Sequence, residues 1–226
     1  GAGAGAVSRQ FAVVGLGRFG AALAQTLDRL GHEVLAMDVD EELVQDLSVS
    51  MPNVHLVCAD GSEEHVLRDL GLEQFDAAAV VIGENIQASI MATIALKDLG
   101  VPMVTSRAGG EMHARALYRI GADRVIQPER EMGEQLARTM SSPAIMDYVD
   151  LGDDEALVEA RVPEKWVGKR LSELRLTQTS GLTIVALKPE NGSGTLPHGD
   201  TVLGEGDVMV IGGQKEKLDG FDLLRA

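Results

Sequence analysis

At 226 residues the chain is long enough for one α/β domain and a small second one. With 45% hydrophobic residues and a mean hydropathy of +0.04 it can bury a sizeable core, while a net charge of −15 argues against unspecific binding to nucleic acid or to an anionic membrane. The single cysteine, Cys58, rules out a disulfide within the chain and makes a reducing cytoplasm the default, and the longest apolar run, AAAVVIG at 77–83, is far short of a membrane span.

The low-complexity start GAGAGA reads as a cloning remnant, and residues 1–10 are set aside as remnant or disorder. From residue 11 the pattern alternates strand and helix. FAVVG (11–15) is a β-type run. RFGAALAQTLDRLG (18–31) has Phe19, Leu23, Leu27 and Leu30 at helical spacing and a terminating Gly31. EVLAMD (33–38) is a strand, DEELVQDLSV (40–49) a helix with an acidic first turn, VHLVCAD (54–60) a strand and SEEHVLRDLG (62–71) a helix. DAAAVVIG (76–83) is apolar enough to be buried on both faces. NIQASIMATIALKDLG (85–100), VPMVTSR (101–107), MHARALYRIG (112–121) and ADRVIQP (122–128) complete the series. Such alternation predicts right-handed crossovers and a Rossmann-like, doubly wound parallel sheet.

After residue 128 the pattern changes. EREMGEQLARTMSS (129–142) reads as an exit helix and PAIMDYVDLGDDE (143–155) as a connector. Short strands follow at 156–162, 182–188, 201–204 and 207–213, with one helix at 166–176 and a turn at 190–194. The expectation is a nucleotide-binding lobe over 11–142 and a small α+β lobe over 143–226.

The chemistry concentrates at the carboxyl ends of the first strands. In GLGRFG, Gly15 permits the tight turn, Gly17 lets backbone approach a phosphate and Gly20 lets the helix pack close. Leu16 and Phe19 complete the turn, and the helix amides face the anion. Asp38 ends the second strand, where an acid accepts ribose hydroxyls and repels a 2′-phosphate. That leaves NAD(H), ATP or ADP. Next to it stand Val39 and Asp40, the latter either assisting or capping the following helix. Asp60 and Gly61 close the third strand, either lining an adenine or forming an ordinary turn with Ser62. Ile82, Glu84 and Asn85 follow the fourth strand and Arg107 ends the fifth, all on the edge where open α/β folds bind ligands. Arg18 favours a chain of phosphates over a dinucleotide, because a guanidinium makes bidentate contacts to the extra charge; the plain alternative is a solvent-facing helix start.

Acid/base catalysis has no evident constellation: His32, His55, His65, His113 and His198 are scattered, and no phosphoryl-transfer motif occurs. A binding protein is therefore expected, with an NAD(H)-dependent oxidoreductase or NAD(H)-sensing regulator as the alternative.

FAVVGLGRFG, HEVLAMD, NIQAS, IGADRVIQPEREMG and the small C-terminal lobe together are similar to the KtrA-like RCK (TrkA-N plus TrkA-C) regulatory subunits of Ktr-type potassium transporters. The similarity covers essentially the whole chain after residue 10. It implies a cytoplasmic homodimer assembled into an octameric ring, held at the inner face of the membrane by a KtrB-like potassium-translocating subunit. It implies ATP as activating and ADP as inactivating ligand. By it, Arg18 is the phosphate-sensing arginine and Asp38 the ribose-binding acid. Arg107 stands where the family usually has lysine, and Glu84 departs from the small residue expected there. Glu129 matches a glutamate that approaches the partner's nucleotide and helps hold a cation, divalent or monovalent. Some relatives bind cyclic di-AMP in the C-terminal lobe; Ile184, Val185 and Pro197 either line such a cleft or serve as plain core and turn.

Overall fold

The computed structural model describes residues 8–141, 145–190 and 192–220. The low-complexity start, the Pro143 step that opens the expected connector and Asn191 of the expected turn lie outside them. The chain divides into two compact units, 1–128 and 129–226.

The first unit runs β1 (Gln10–Val14), α1 (Arg18–Arg29), β2 (Glu33–Asp38), α2 (Glu41–Ser50), β3 (His55–Cys58), α3 (Glu64–Asp69), β4 (Ala77–Val80), α4 (Ile86–Asp98), β5 (Met103–Arg107), α5 (Glu111–Arg119) and β6 (Arg124–Ile126). The strands form one parallel sheet in the order β3-β2-β1-β4-β5-β6, as the strand–helix alternation predicts. Side chains leave successive residues of β1 on opposite faces. Ala12 and Val14 enter a core with Met37, Val80, Leu96 and Val104, and Val13 enters a second with Ala24, Ala36 and Val44. Helices on both faces thus bury the sheet, and the order reverses between β1 and β4, which opens a crevice at their carboxyl ends.

The second unit begins with α6 (Pro128–Ser141), whose first residue still belongs to the first unit. The sequence pattern attached this helix to the nucleotide-binding lobe. Its later turns contact residues further on in the chain: Gln135 donates to Asp147 at 2.9 Å and Arg138 binds the Asp219 carboxylate. There follow β7 (Ile145–Gly152), β8 (Glu155–Arg161), α7 (Leu171–Leu174), α8 (Leu176–Thr179), β9 (Thr183–Lys188), β10 (Val208–Gln214) and α9 (Lys215–Asp219). The four strands form an antiparallel sheet in the order β7-β8-β10-β9.

Three expectations are corrected here. The expected connector at 143–155 holds an edge strand, β7. It was hidden because only Tyr148 is buried and two register shifts break its alternation. The β7–β8 turn uses Asp153 and Asp154 at φ of 43° and 66°, the twist-matched pair for a two-residue hairpin. The single helix at 166–176 is split, since Arg175 adopts the left-handed conformation between α7 and α8. The expected strand at 201–204 is reduced to one bridge, Arg170 to Val202.

Candidate functional site

The GLGRFG turn joins β1 to α1 and is stitched to β2 by two hydrogen bonds. Gly15 N–H donates to the Met37 carbonyl at 2.8 Å, and Leu16 N–H donates to Asp38 Oδ2 at 2.7 Å. Each glycine answers a different demand. Gly15 sits at φ +104° with Val81 backbone 2.9 Å from where a Cβ would be. A Cβ on Gly20 would lie 1.9 Å from the Gly15 carbonyl oxygen. Gly17 has neither constraint: its φ is −58°, and nothing stands within 4 Å of its ideal Cβ position. It is the N-cap of α1 and offers no side-chain cap, so the first amides of the helix keep their partial positive charge toward the crevice. Arg18 and Phe19 open the helix, both exposed, and Leu16 is buried.

Asp38 does two jobs at once. Its Oδ2 holds Leu16 and its Oδ1 accepts the Asp40 amide at 3.0 Å. An ionised carboxylate offers about four acceptor positions, so acceptor capacity is left for a sugar hydroxyl. Val39 beside it is exposed and apolar. Asp40 caps α2 by accepting from Leu43 N–H at 3.1 Å.

Of the two roles open to Asp60, the structure displays the turn. Its Oδ1 accepts from both the amide and the hydroxyl of Ser62, at 2.9 and 2.6 Å, and these bonds hold its carboxyl below the usual range. Gly61 is set by packing, because a Cβ there would lie 2.4 Å from Val14. Ile82 packs against the β1–β4 core, Glu84 is exposed and Asn85 caps α4 by accepting from Ala88 N–H at 3.0 Å. Arg107 closes β5, half-buried.

These residues share the carboxyl edge of one sheet. Glu129 does not belong to that unit: it lies in the first turn of α6, in the second unit. Among the described residues no group of three or more His, Cys, Asp or Glu side chains could hold a metal on its own. In the second unit Ile184 packs on the core, Val185 is partly exposed and Pro197 is half-buried.

Sequence reasoning missed a buried polar cluster behind β5. Ser89, Thr93 and Ser106 are fully buried, Thr93 Oγ1 lies 2.8 Å from Ser106 Oγ, and His113 Nε2 lies 3.2 Å from Ser89 Oγ. The four-residue spacing of Ser89 and Thr93 inside an apolar helix was the available signal.

The TrkA-N domain family matches residues 11–128, and the TrkA-C domain family matches 157–224. The chain belongs to the KtrA-like TrkA-N/TrkA-C family. The Ktr system potassium uptake protein A of Bacillus subtilis (strain 168) is 38% identical over 215 residues, 95% of this chain and 96% of that protein. Its namesake in Vibrio alginolyticus is 35% identical over 210 residues, 93% of this chain and 94% of that protein. Among solved structures, the GsuK RCK domain superposes with a TM-score of 0.52 at 25% identity, covering 96% of this chain; the chain spans 46% of that longer one. The TrkA-N match ends at residue 128, where the first compact unit ends. No helix among the described residues of this TrkA-N/TrkA-C chain is long and apolar enough to cross a membrane.

Proposed function

We propose that this protein is the nucleotide-binding gating subunit of a Ktr-type potassium uptake system. It binds ATP or ADP in the TrkA-N lobe and regulates rather than catalyses. The observation that carries the ligand class is Gly17, a glycine that neither its φ nor its packing requires, placed at an uncapped helix start beside Asp38. Close approach of a phosphate supplies the missing reason for it. The names of the relatives, potassium uptake proteins, support the system.

In this reading the amides of the turn and of α1 hold the phosphates, Asp38 takes the ribose hydroxyls, and Val39 offers an apolar face to the base. ATP and ADP differ by one phosphate, so only a contact that senses it can shift an assembly between states. Arg18 is that contact, with a cation held by the nucleotide's own oxygens and by a Glu129 that reaches across the dimer. The assembly is a homodimer built into an octameric ring beneath a membrane-embedded potassium-translocating subunit, with ATP activating and ADP inactivating. Cyclic di-AMP at the TrkA-C lobe is a further candidate regulator.

NAD(H) is the second reading. The 3-2-1-4-5-6 sheet order places the crevice where dinucleotides bind in this fold, and Asp38 suits their unmodified ribose equally. Calorimetric titration with ATP, ADP, NADH and cyclic di-AMP separates the readings. The expected result is ATP and ADP binding tighter than NADH. In Arg18→Ala the preference for ATP over ADP falls about tenfold, the scale of one charge-assisted phosphate contact. Unchanged discrimination in that variant removes Arg18 as the sensor. NADH as the tightest ligand overturns the ATP/ADP reading.

A further inference from the structure

We infer that His113, as a neutral hydrogen-bond acceptor, is the positioning residue of the loop that follows Arg107 at the carboxyl edge of the sheet. The loop is Ala108–Gly109–Gly110. Ala108 is buried and its N–H donates to the Ile126 carbonyl at 2.9 Å. Gly109 N–H donates to His113 Nδ1 at 3.2 Å. Neither glycine has an atom within 4 Å of its ideal Cβ position, and neither φ lies in the left-handed region. Side-chain packing at these two glycines therefore does little to fix the loop, whose backbone ties are the Ala108 N–H to Ile126 and the Gly110 carbonyl, which accepts from Ala114 N–H at 2.9 Å. The imidazole supplies a directional tether.

The roles of the ring nitrogens follow from their partners. A backbone N–H can only donate, so Nδ1 accepts, and Nε2 carries the proton and meets Ser89 Oγ at 3.2 Å. The ring is 6% exposed. It is held from α4 by Ser89 next to Thr93, whose hydroxyl donates to the Ser89 carbonyl at 2.8 Å, and from β5 by Ser106 through Thr93. These facing groups are neutral hydroxyls. The charged residues of the packed elements are Lys97 and Asp98 on α4, Arg107 on β5, Arg124 on β6, and Glu111, Arg115 and Arg119 on its own helix; Lys97 is engaged by Asp123 at 2.9 Å. Burial holds the imidazole pKa below its ordinary value, so the neutral acceptor form is the resting state at neutral pH. Protonation would set an Nδ1–H against the Gly109 N–H, two donors face to face, and release the loop. The depressed pKa means that the tether's contribution is complete above about pH 6.5 and is lost as pH falls through the folded-state value.

The consequence for binding rests on the proposed nucleotide reading, in which Arg107 faces the ligand. A loosened loop shifts the backbone just beyond β5, which sets where the Arg107 guanidinium points, and nucleotide affinity drops with acidification.

The test uses the full chain, two substitutions and two independent readouts. His113→Asn keeps an acceptor oxygen at the Nδ1 position and does not titrate, whereas His113→Leu removes the acceptor. Hydrogen-exchange protection at Gly109, corrected for intrinsic rate, reports the tether without any ligand. It should fall between about pH 7.5 and about pH 5 in the parent, stay low at both in His113→Leu, and stay high at both in His113→Asn. ATP affinity should follow, three- to tenfold weaker wherever protection is lost, on the scale of one net hydrogen bond of about 0.5–1.5 kcal/mol. Equal Gly109 protection at both pH values in the parent overturns the tether, and needs no variant to fold. Protection that changes while ATP affinity does not overturns the link to Arg107. Absence of ATP binding in every protein sinks the nucleotide reading instead, and the Gly109 result still decides the role of His113.

Discussion

The α-carbon of Gly20 stands so close to the Gly15 carbonyl that a Cβ would lie 1.9 Å from its oxygen and 3.0 Å from Val81 Cγ2. This close approach seats the first helix against the end of the first strand, while Gly17, three residues earlier, is under no such pressure. Gly20→Ala should therefore destabilise the TrkA-N lobe by at least about 1–3 kcal/mol, the cost of overpacking. Gly17→Ala should cost within about 1 kcal/mol, the range of a capping change, and weaken nucleotide binding about tenfold or more. Urea denaturation together with ATP titration separates the two.

Asp38 invites a graded substitution. Asp38→Ala removes the acceptor of both the Leu16 and the Asp40 amides, and hydrogen bonds to a charged group are worth about 1.5–3 kcal/mol. Asp38→Asn keeps one acceptor oxygen and should lose about 1 kcal/mol. Both should bind nucleotide more weakly. An Asn variant as unstable as the Ala variant would show that charge, not the acceptor, holds the turn.

Much of this was legible beforehand, for definite reasons. The parallel lobe announces itself because most of its strands are short apolar runs and four of its five helices, α1, α3, α4 and α5, end at a glycine, such as Gly31 or Gly71 at φ of 87° and 74°. The glycine turn and Asp38 were placed by spacing alone. What spacing could not convey was division of labour. Gly61 is tightly packed against Val14, Asp60 and Asn85 carry a turn and a cap, and Asp38 holds the glycine turn. The second lobe was harder. Its edge strand β7 shows water Asp147 and Asp150 among its apolar residues, and nothing in the pattern of 166–176 forecasts a left-handed Arg175. His113 reads as one of several scattered histidines because its buried side-chain partner, Ser89, lies on another helix.

The pair Lys97–Asp123 carries an acid dependence. Asp123 accepts from Lys97 Nζ at 2.9 Å and from Val104 N–H at 2.7 Å, and these bonds, the lysine's first, hold its carboxyl below the ordinary range. A depressed carboxyl contributes stability that is present above its unfolded value, about pH 4, and is lost as pH falls through the folded value. Asp123→Asn should flatten the fall of the melting temperature below about pH 5. An unchanged acid limb would place that fall elsewhere. Because the pair is partly exposed, the effect at neutral pH is small.

Tyr148 offers a gain. It is 4% exposed, its hydroxyl has no hydrogen-bond partner, and the Arg138 guanidinium lies 4.7 Å over its ring. Removing a buried, unsatisfied hydroxyl while keeping the ring preserves the cation–π contact and relieves a desolvation cost. Tyr148→Phe should be neutral or stabilising by up to about 1 kcal/mol, as read by denaturant midpoint. A loss of more than about 1 kcal/mol would mean that the hydroxyl is bonded in solution.

The double engagement of Asp38 also limits what this lobe can evolve into. Proteins of this architecture that move to 2′-phosphorylated cofactors do so by giving up the acid at the end of the second strand, often for a neutral or basic neighbourhood. Here that acid is also the anchor of the Leu16 amide. Trading it away would unmoor the very turn that is to receive the phosphates, so a change of ligand preference would first need a new support for residue 16. On the proposed nucleotide reading, the carboxylate thus works as a ratchet that ties an unmodified ribose to the backbone geometry of the lobe.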